Sequence, residues 1–222
     1  MSAALEVLHC DNHLLVLNKP AGLPTVPDDS GDASLLDLGK AWIKTEYNKP
    51  GAVFLGVVHR LDRPVSGVLL FARTSKAAER LSQQFRERET EKVYWGLVLE
   101  TLEKTSGEIE HWLWKDRDRN RVHVVDEGRE GAKFARTSYR YLGQKQGGTW
   151  LELRPHTGRS HQLRVACASL GSPLLGDLKY GAERPLSDKS IALHARRLGI
   201  VHPTLKQPLT FEAKAPGLAC WR

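Results

Sequence analysis

The sequence has few cysteines and no long apolar run. Its three cysteines, Cys10, Cys167 and Cys220, are widely spaced and form no CxxC pair, which argues against a cysteine-based zinc cluster or a disulfide framework and suits a reducing compartment. No window approaches the roughly 18 apolar residues of a membrane span. The N-terminus lacks the basic start and apolar run of a signal peptide. We therefore expect a cytoplasmic protein without a membrane partner.

Common nucleotide and hydrolase motifs are also missing. The sequence has no GxGxxG, GxxxxGK[ST], HExxH or GxSxG motif, so we expect no nucleotide cofactor, no zinc hydrolysis and no serine esterase chemistry. His156 and His161 have no acidic partner at ligand spacing. A metal site is therefore not expected there either.

Basic residues outnumber acidic ones. The 222 residues include 33 Lys and Arg against 26 Asp and Glu, which gives a formal charge of +7. This excess indicates either an anionic partner, most commonly nucleic acid, or only the solubility of an ordinary enzyme. The hydrophobic content of 41% is enough for a core and too high for a disordered chain.

The apolar spacing predicts many strands and three helices. The helices are expected at 35–42, 75–88 and 160–170, with Ser75 as an N-cap and Gly171 at the C-terminal end of the last. Strands are expected at 13–17, 57–58, 68–72, 93–99, 137–142, 150–153, 193–201 and 209–213, with a turn at Gly147-Gly148. This pattern favours an α+β fold with a mixed sheet. No linker is evident, so one domain over residues 1–222 is predicted.

A polar cluster, His59-Arg60-Leu61-Asp62-Arg63-Pro64, interrupts apolar segments. A carboxylate at such a junction is close to the core but can face a cleft, and Gly67 allows another backbone or a ligand to approach closely. In a structural interpretation, Asp62 is an N-cap or turn acceptor that Arg60 or Arg63 neutralises. Composition alone favours this second interpretation.

A second polar cluster, residues 154–164, precedes and opens the third predicted helix. A helix N-terminus attracts phosphate, and Arg159 and Arg164 add forked donors suited to phosphate or carboxylate. The alternative is a capped helix start with solvated arginines, and the density of cations favours anion binding slightly.

Cations also occupy alternate positions between residues 111 and 137. They are Lys115, Arg117, Arg119 and Arg121. In an extended strand this spacing places all four on one face. A solvated hairpin face explains them equally well.

Residues 58–70, VHRLDRPVSGVLL, closely resemble the HRLD signature of the RluA-type pseudouridine synthases. Other segments are similar to further motifs of that family, in the same order: 18–23 (NKPxG), 85–94 (a helix, then KxY), 133–137 (KxAxT), 157–164 (TGRxHQLR), 175–181 (LGDxxYG), 194–195 and 211–213. The resemblance covers about residues 10–216 and implies a pseudouridine synthase fold, with a bent, mainly antiparallel sheet flanked by helices and loops. It also implies that uridine in RNA is isomerised to pseudouridine without cofactor or metal.

The resemblance assigns roles at the matching positions. Asp62 matches the essential aspartate, and Tyr94 matches the tyrosine that stacks near the target base and is proposed to accept the C5 proton. Arg164 matches the arginine that pairs with the aspartate, and Arg60 matches an arginine associated with base flipping. We assign six further residues of the two basic segments to RNA binding: Arg159, His161, Lys115, Arg117, Arg119 and Arg121.

These roles are physically consistent. The reaction needs an ionised aspartate in a site that excludes water, and an arginine beside a buried aspartate favours its charged form. Val65 occupies a position where the family often has threonine, so we expect a local change in loop support.

Substrate and partners are further expectations. We expect a monomer without an S4 RNA-binding module, acting on a structured RNA such as a tRNA or rRNA stem-loop. Two alternatives are a catalytically silent RNA-binding or RNA-chaperone protein on the same fold and an N-glycosidase that uses Asp62 for hydrolysis. The intact set of Asp62, Tyr94 and Arg164 argues against the silent protein.

Overall fold

The computed structural model describes residues 5–100, 102–145 and 148–221. The chain forms two units: unit 1 comprises the chain up to Lys92 together with Ala195–Ala215, and unit 2 comprises Val93–His194 and the segment from Pro216 onward. The single domain stays a prediction, and the predicted turn residue Gly147 lies outside the described residues.

Unit 1 combines an antiparallel sheet with two helices. Its elements in chain order are β1 (Glu6–Cys10), β2 (Leu14–Lys19), α1 (Leu35–Glu46), β3 (Gly56–Val57), β4 (Ser66–Ala72), α2 (Ser75–Glu87), most of β10 (Leu193–Val201) and β11 (Pro208–Glu212). The strand order is β1-β2-β4-β10-β11, and β3 pairs with β4. The pairings β1–β2, β2–β4, β3–β4 and β10–β11 are antiparallel.

The central strands of unit 1 are apolar on both faces because a helix covers each face. Val16 on one face of β2 belongs to the same buried cluster as Leu81 of α2. On the other face, Leu15 and Leu17 pack beside α1, where a Cβ added to Gly39 would lie 3.3 and 3.7 Å from them. This double coverage explains the continuous apolar run of β2.

Side-chain caps fix the starts of both helices of unit 1. Ser34 and Asp37 form a reciprocal capping box at the start of α1, which is longer than the predicted 35–42. Thr74 caps α2 by accepting a hydrogen bond from the Ala77 N–H. The prediction that Ser75 is the cap was therefore wrong by one residue, while the predicted helix itself is confirmed.

Unit 2 contains antiparallel strands and one α-helix. Its elements are most of β5 (Glu91–Val98), β6 (Ser106–Asp116), β7 (Arg121–Val125), β8 (Lys133–Lys145), β9 (Gly148–Pro155), α3 (Gln162–Ser169) and two 3₁₀ turns, Leu178–Tyr180 and Ala219–Trp221. The strand order is β5-β9-β8-β6-β7. The α+β class with mixed, mainly antiparallel strands is confirmed.

The β6–β7 hairpin contains the four cations that occupy alternate positions in the sequence. Lys115 pairs with Val122 and Asp116 with Arg121, and residues 117–120 form the turn. The four cations therefore surround a hairpin tip, and the interpretation that placed them on one extended strand face is wrong. The core of unit 2 includes Val122 and Val165, the latter on α3.

Candidate active site

Asp62 lies in the turn between β3 and β4 of unit 1. Its carbonyl oxygen accepts a hydrogen bond of 3.0 Å from the Val65 N–H. Leu61 and Val65 are buried, with 6% and 3% of their surfaces exposed, whereas Asp62 is partly buried. The apolar neighbours hold the turn against the core, and Asp62 lies at the border between core and solvent.

The buried ammonium of Lys19 binds the backbone of the same turn. Lys19 has no exposed surface, and its Nζ donates to the carbonyl oxygens of Pro20 (3.0 Å), Arg63 (3.1 Å) and Val65 (2.7 Å). Burial lowers the pKa of Lys19 to about 7, while the charge of Asp62 opposes this shift. Three acceptors match the three donors of the charged form.

Thr25 and Gly22 attach a second segment to the Asp62 turn. The Thr25 hydroxyl donates to the Leu61 carbonyl oxygen (2.8 Å) and accepts from the Leu61 N–H (3.3 Å). The Gly22 N–H donates to the Arg63 carbonyl oxygen (2.8 Å), and Arg63 Nε donates to the Gly22 carbonyl oxygen (2.9 Å). The NKPAG segment and Thr25 thus both support the Asp62 turn, a role that the sequence alone did not assign.

The Arg63 guanidinium is engaged by the loop that precedes α1. It forms ion pairs with Asp32 and with Asp28, the latter at 3.5 Å, and donates to Ser30 Oγ (2.9 Å). The hydrogen bond from Arg63 lowers the pKa of Asp32. These partners give Arg63 a structural function in addition to its nearness to Asp62.

His59 is a hydrogen-bond acceptor inside unit 1. Its Nε2 accepts from the Leu70 N–H (2.9 Å), and its ring stacks on Phe85 with centroids 4.7 Å apart. Burial and the charge of Lys92 lower the pKa of His59 to about 3, so the ring is neutral at pH 7. The adjacent Arg60 is exposed.

Two of the three predicted catalytic residues belong to unit 2. Tyr94 is on β5, paired with Leu153 of β9, and is partly buried. Arg164 is on α3 and forms a bidentate ion pair with Asp177: Nε to Oδ2 and Nη2 to Oδ1 are both 2.7 Å. The predicted pairing of Arg164 with Asp62 stays a prediction.

Asp177 is the site residue that sequence reasoning missed. Its side chain is 1% exposed and that of Arg164 is 7% exposed. The signal was present, because Asp177 lies inside the LGDxxYG segment, but nothing in the sequence connects that segment to Arg164.

His161 is buried in contact with Tyr180. It is 9% exposed, and its Nδ1 lies 2.7 Å from Tyr180 Oη, which also accepts the Val122 N–H at 2.8 Å. His161 also has a left-handed backbone (φ 52°) at the start of α3. The predicted contact of His161 with RNA stays a prediction, and the structure shows in addition that it supports Tyr180.

A basic cavity of about 550 Å³ lies beside the β6–β7 hairpin. It is lined by Leu113, Trp114, Lys115, Arg117, Val122, Gly131, Lys133, Gly158, Arg159 and Ser160. Three of the predicted RNA-binding cations are thus brought together, and Lys133 is an addition. Arg159 is held in place because its Nε donates to the Phe134 carbonyl oxygen (2.9 Å).

The other two hairpin cations have partners of their own. Arg119 is highly exposed and lies 3.9 Å from Asp116, while the Arg121 guanidinium lies 5.6 Å from the centre of the Tyr180 ring. Across the described part of the chain, no group of three His, Cys, Asp or Glu side chains could hold a metal ion. Within the same residues, no helix is long and apolar enough to cross a membrane.

The chain belongs to the RNA pseudouridylate synthase family, whose model matches residues 13–169. This establishes its class: an RNA-modifying isomerase that forms pseudouridine.

Individual relatives agree with this class. The chain is 37% identical over 217 residues to the "Dual-specificity RNA pseudouridine synthase RluA" of Haemophilus influenzae, covering 95% of this chain and 93% of that one. It is 37% identical to the protein of the same name from Pasteurella multocida, with coverages of 94% and 92%. The structure is similar to "Human RNA Pseudouridylate Synthase Domain Containing 4", with a TM-score of 0.78 and 27% identity over 96% of this chain and 89% of the human one.

Proposed function

We propose that this enzyme converts specific uridines in tRNA or rRNA stem-loops to pseudouridine, with Asp62 as the essential carboxylate. The observation that carries the proposal is the turn around Asp62, which the buried Lys19 ammonium holds through two of the turn's carbonyl groups. A reaction at a single sugar carbon requires a carboxylate held in one place, and a turn whose backbone is held by hydrogen bonds supports the proposal.

The reaction rearranges one nucleoside without a net change in atoms. The bond between N1 and C1′ breaks, the base turns, a bond forms between C5 and C1′, and the proton on C5 is removed while N1 gains one. Asp62 acts in its ionised form. The charges of Lys19 and Asp62 attract each other, which raises the pKa of Lys19 against the effect of burial.

Tyr94 and Arg164 complete the proposed catalytic set. Tyr94 stacks near the target base and accepts the C5 proton, and its place in the paired strand β5 supports a fixed ring. Arg164 pairs with the Asp62 carboxylate. The two hydrogen bonds that Arg164 donates to Asp177 support this role because they hold the guanidinium in one orientation.

Arg60 is proposed to help extrude the target uridine. A base inside folded RNA must leave its stack, which costs a few kcal/mol. Arg60 is exposed and follows His59, whose ring is held inside unit 1. A guanidinium that enters the emptied stack offsets part of the unstacking cost.

The basic cavity is proposed to bind the RNA backbone. Lys115, Arg117 and Arg159 line it together, and no acidic residue is among its ten lining residues. Arg119 and Arg121 on the same hairpin extend the contact, and His161 contributes through the segment that opens α3. Phosphate contacts of this kind position RNA without reading its sequence.

The substrate is proposed to be structured RNA of more than one kind. Relatives with nearly full mutual coverage carry the words "dual-specificity" in their names, which supports testing both tRNA and rRNA. We also propose that the enzyme acts as a monomer in the cytoplasm, a setting consistent with its free cysteines Cys10, Cys167 and Cys220.

The test compares wild type with Asp62→Asn on transcribed tRNA and rRNA fragments, with pseudouridines mapped by reverse transcription after carbodiimide treatment. Asp29→Asn is the matched control, since Asp29 is an exposed acid of the neighbouring loop. We expect Asp62→Asn to abolish modification while RNA binding is retained, and Asp29→Asn to behave as wild type. Normal turnover by Asp62→Asn would refute its role, and release of free uracil by wild type would indicate hydrolysis.

A further inference from the structure

Asp177 holds the Arg164 guanidinium in a bidentate ion pair. The carboxylate accepts two hydrogen bonds of 2.7 Å from the Nε–Nη2 edge of the guanidinium, and both side chains are almost completely buried. Two parallel bonds to a planar fork fix its plane as well as its position. Because the pair is buried, solvent cannot replace the hydrogen-bonded counter-charge that is lost when Asp177 is neutralised.

The backbone holds Asp177 equally firmly. Its N–H donates to the Leu174 carbonyl oxygen, and its own carbonyl oxygen accepts from the N–H groups of Tyr180 and Ala182, at 3.0 to 3.1 Å. Gly176 has φ +82°, and a Cβ added there would lie 2.6 Å from a neighbouring carbonyl oxygen. The carboxylate therefore projects from a loop with little freedom to move.

Tyr180 links Arg164 to the β6–β7 hairpin. The Arg164 guanidinium lies 5.0 Å from the centre of the Tyr180 ring. The Tyr180 hydroxyl accepts the Val122 N–H of β7 and contacts His161, and Arg121 of the same strand lies over the ring. One tyrosine thus touches the strand that carries predicted RNA contacts and the proposed catalytic arginine.

We infer that Asp177 and Tyr180 are positioning residues for the pseudouridine synthase reaction: Asp177 orients the Arg164 guanidinium, and Tyr180 connects that guanidinium to the hairpin. The inference rests on the proposed role of Arg164. It follows that an RNA that displaces the β6–β7 hairpin also moves the Tyr180 ring, against which the Arg164 guanidinium lies.

The first test measures kcat and KM of Asp177→Asn on a modified RNA, with Asp126→Asn as the matched control because Asp126 is exposed in the same unit. Asp177→Asn keeps the size of the side chain but removes its charge. A misplaced catalytic group can cost about 100-fold in rate, and we expect a loss of that order in kcat with KM unchanged. An equally active Asp177→Asn would overturn the inference.

A double-mutant cycle separates positioning from general support of the fold. In an Arg164→Lys background the fork is already absent, so Asp177→Asn is expected to have little further effect on kcat. The same fold-loss in both backgrounds would show that Asp177 does not act through Arg164.

Tyr180→Phe provides a second test if Asp177→Asn does not fold. It keeps the ring beside Arg164 and removes only the hydroxyl that the Val122 N–H and His161 contact. We expect faster hydrogen exchange of the Val122 amide together with a lower kcat, and an unchanged kcat would refute the link to the hairpin. Wild type that modifies no RNA would instead overturn the proposed function, so the two failures are distinguishable.

Discussion

Lys19 Nζ lies 2.7 Å from the Val65 carbonyl oxygen, in the shortest of three hydrogen bonds by which this buried ammonium closes the turn that carries Asp62. Val65 also donates its N–H to the Asp62 carbonyl oxygen. Both backbone groups of Val65 are therefore engaged. The turn is therefore supported through its backbone as well as through the buried side chain of Val65.

Lys19→Met tests this support. The substitution leaves three carbonyl acceptors without their donor, which is expected to cost about 2 kcal/mol because relief of the buried charge offsets part of the loss. We also expect a lower kcat, since the Asp62 turn loses its anchor. Urea denaturation and steady-state kinetics measure both effects. The exposed Lys44→Met is the control, and equal results for the two variants would contradict the prediction.

Gly67→Ala is expected to destabilise unit 1 strongly. Gly67 has φ +116°, and a Cβ there would lie 2.3 Å from the carbonyl oxygen and 2.6 Å from the nitrogen of Ala195. Two backbones approach so closely that no side chain fits, and a loss of about 3 kcal/mol or more is expected. Gly22→Ala is the control, because Gly22 has φ +83° and no atom within 4 Å of the added Cβ; backbone strain alone costs about 1–2 kcal/mol. Similar unfolding midpoints for both variants would refute the prediction.

His59 makes stability depend on pH. Burial lowers its pKa from 6.5 to about 3, so between these values the unfolded chain binds a proton that the folded chain does not. The stabilising contribution of the neutral His59 ring is therefore complete above pH 6.5 and is lost as pH falls toward 3. The free energy of unfolding changes by at most about 1.4 kcal/mol per pH unit in this range. We expect His59→Gln to be less stable at pH 7 but to lose less stability between pH 7 and pH 5. Equal losses measured by urea titration would argue against this role.

Removal of the cavity cations should weaken RNA binding in a salt-dependent way. Lys115→Ala and Arg117→Ala each remove one exposed charge from the cavity. If each charge neutralises one phosphate, the slope of log Kd against log salt concentration falls by about 1 per substitution. Filter binding at several salt concentrations measures the slope. Lys49→Ala, an exposed change in unit 1, should leave it unchanged, and a slope insensitive to all three changes would contradict RNA binding in the cavity.

Tyr94→Phe should separate stacking from proton transfer. The phenyl ring retains the stack against the base, whereas the hydroxyl proposed to accept the C5 proton is gone. We expect a lower kcat with little change in RNA affinity. Single-turnover rates measure the chemical step, and a rate equal to wild type would exclude the hydroxyl as proton acceptor.

Strong local periodicity made several elements predictable. The stripe on α2 and the apolar runs of β2, β4 and β10 are dictated by burial, and their predicted positions agree with the structure within a few residues. β6 was missed, because in this long strand only Ile109 and Leu113 are buried and the alternation is weak. Cations at alternate positions were equally compatible with a strand and a hairpin, so only pairing with β7 decided between them.

The contacts that define the candidate site are long-range and could not be derived from spacing. Lys19 lies 46 residues from Val65, and Arg164 lies 13 residues from Asp177. A sequence shows that such residues are unusual but not which carbonyl or carboxylate they meet. The placement of His161 shows the same limit, because a histidine in a basic segment looked available to solvent and is buried.

The enclosure of Lys19 has a consequence for its chemical reactivity. Burial lowers the pKa of Lys19 to about 7 and also keeps the amine away from acylating reagents, since Lys19 has no exposed surface. Acylation of Lys19 therefore requires the turn to open. The labelling rate of this one lysine, read by mass spectrometry, reports how often the backbone around Asp62 opens, and bound RNA that stabilises the turn would slow it.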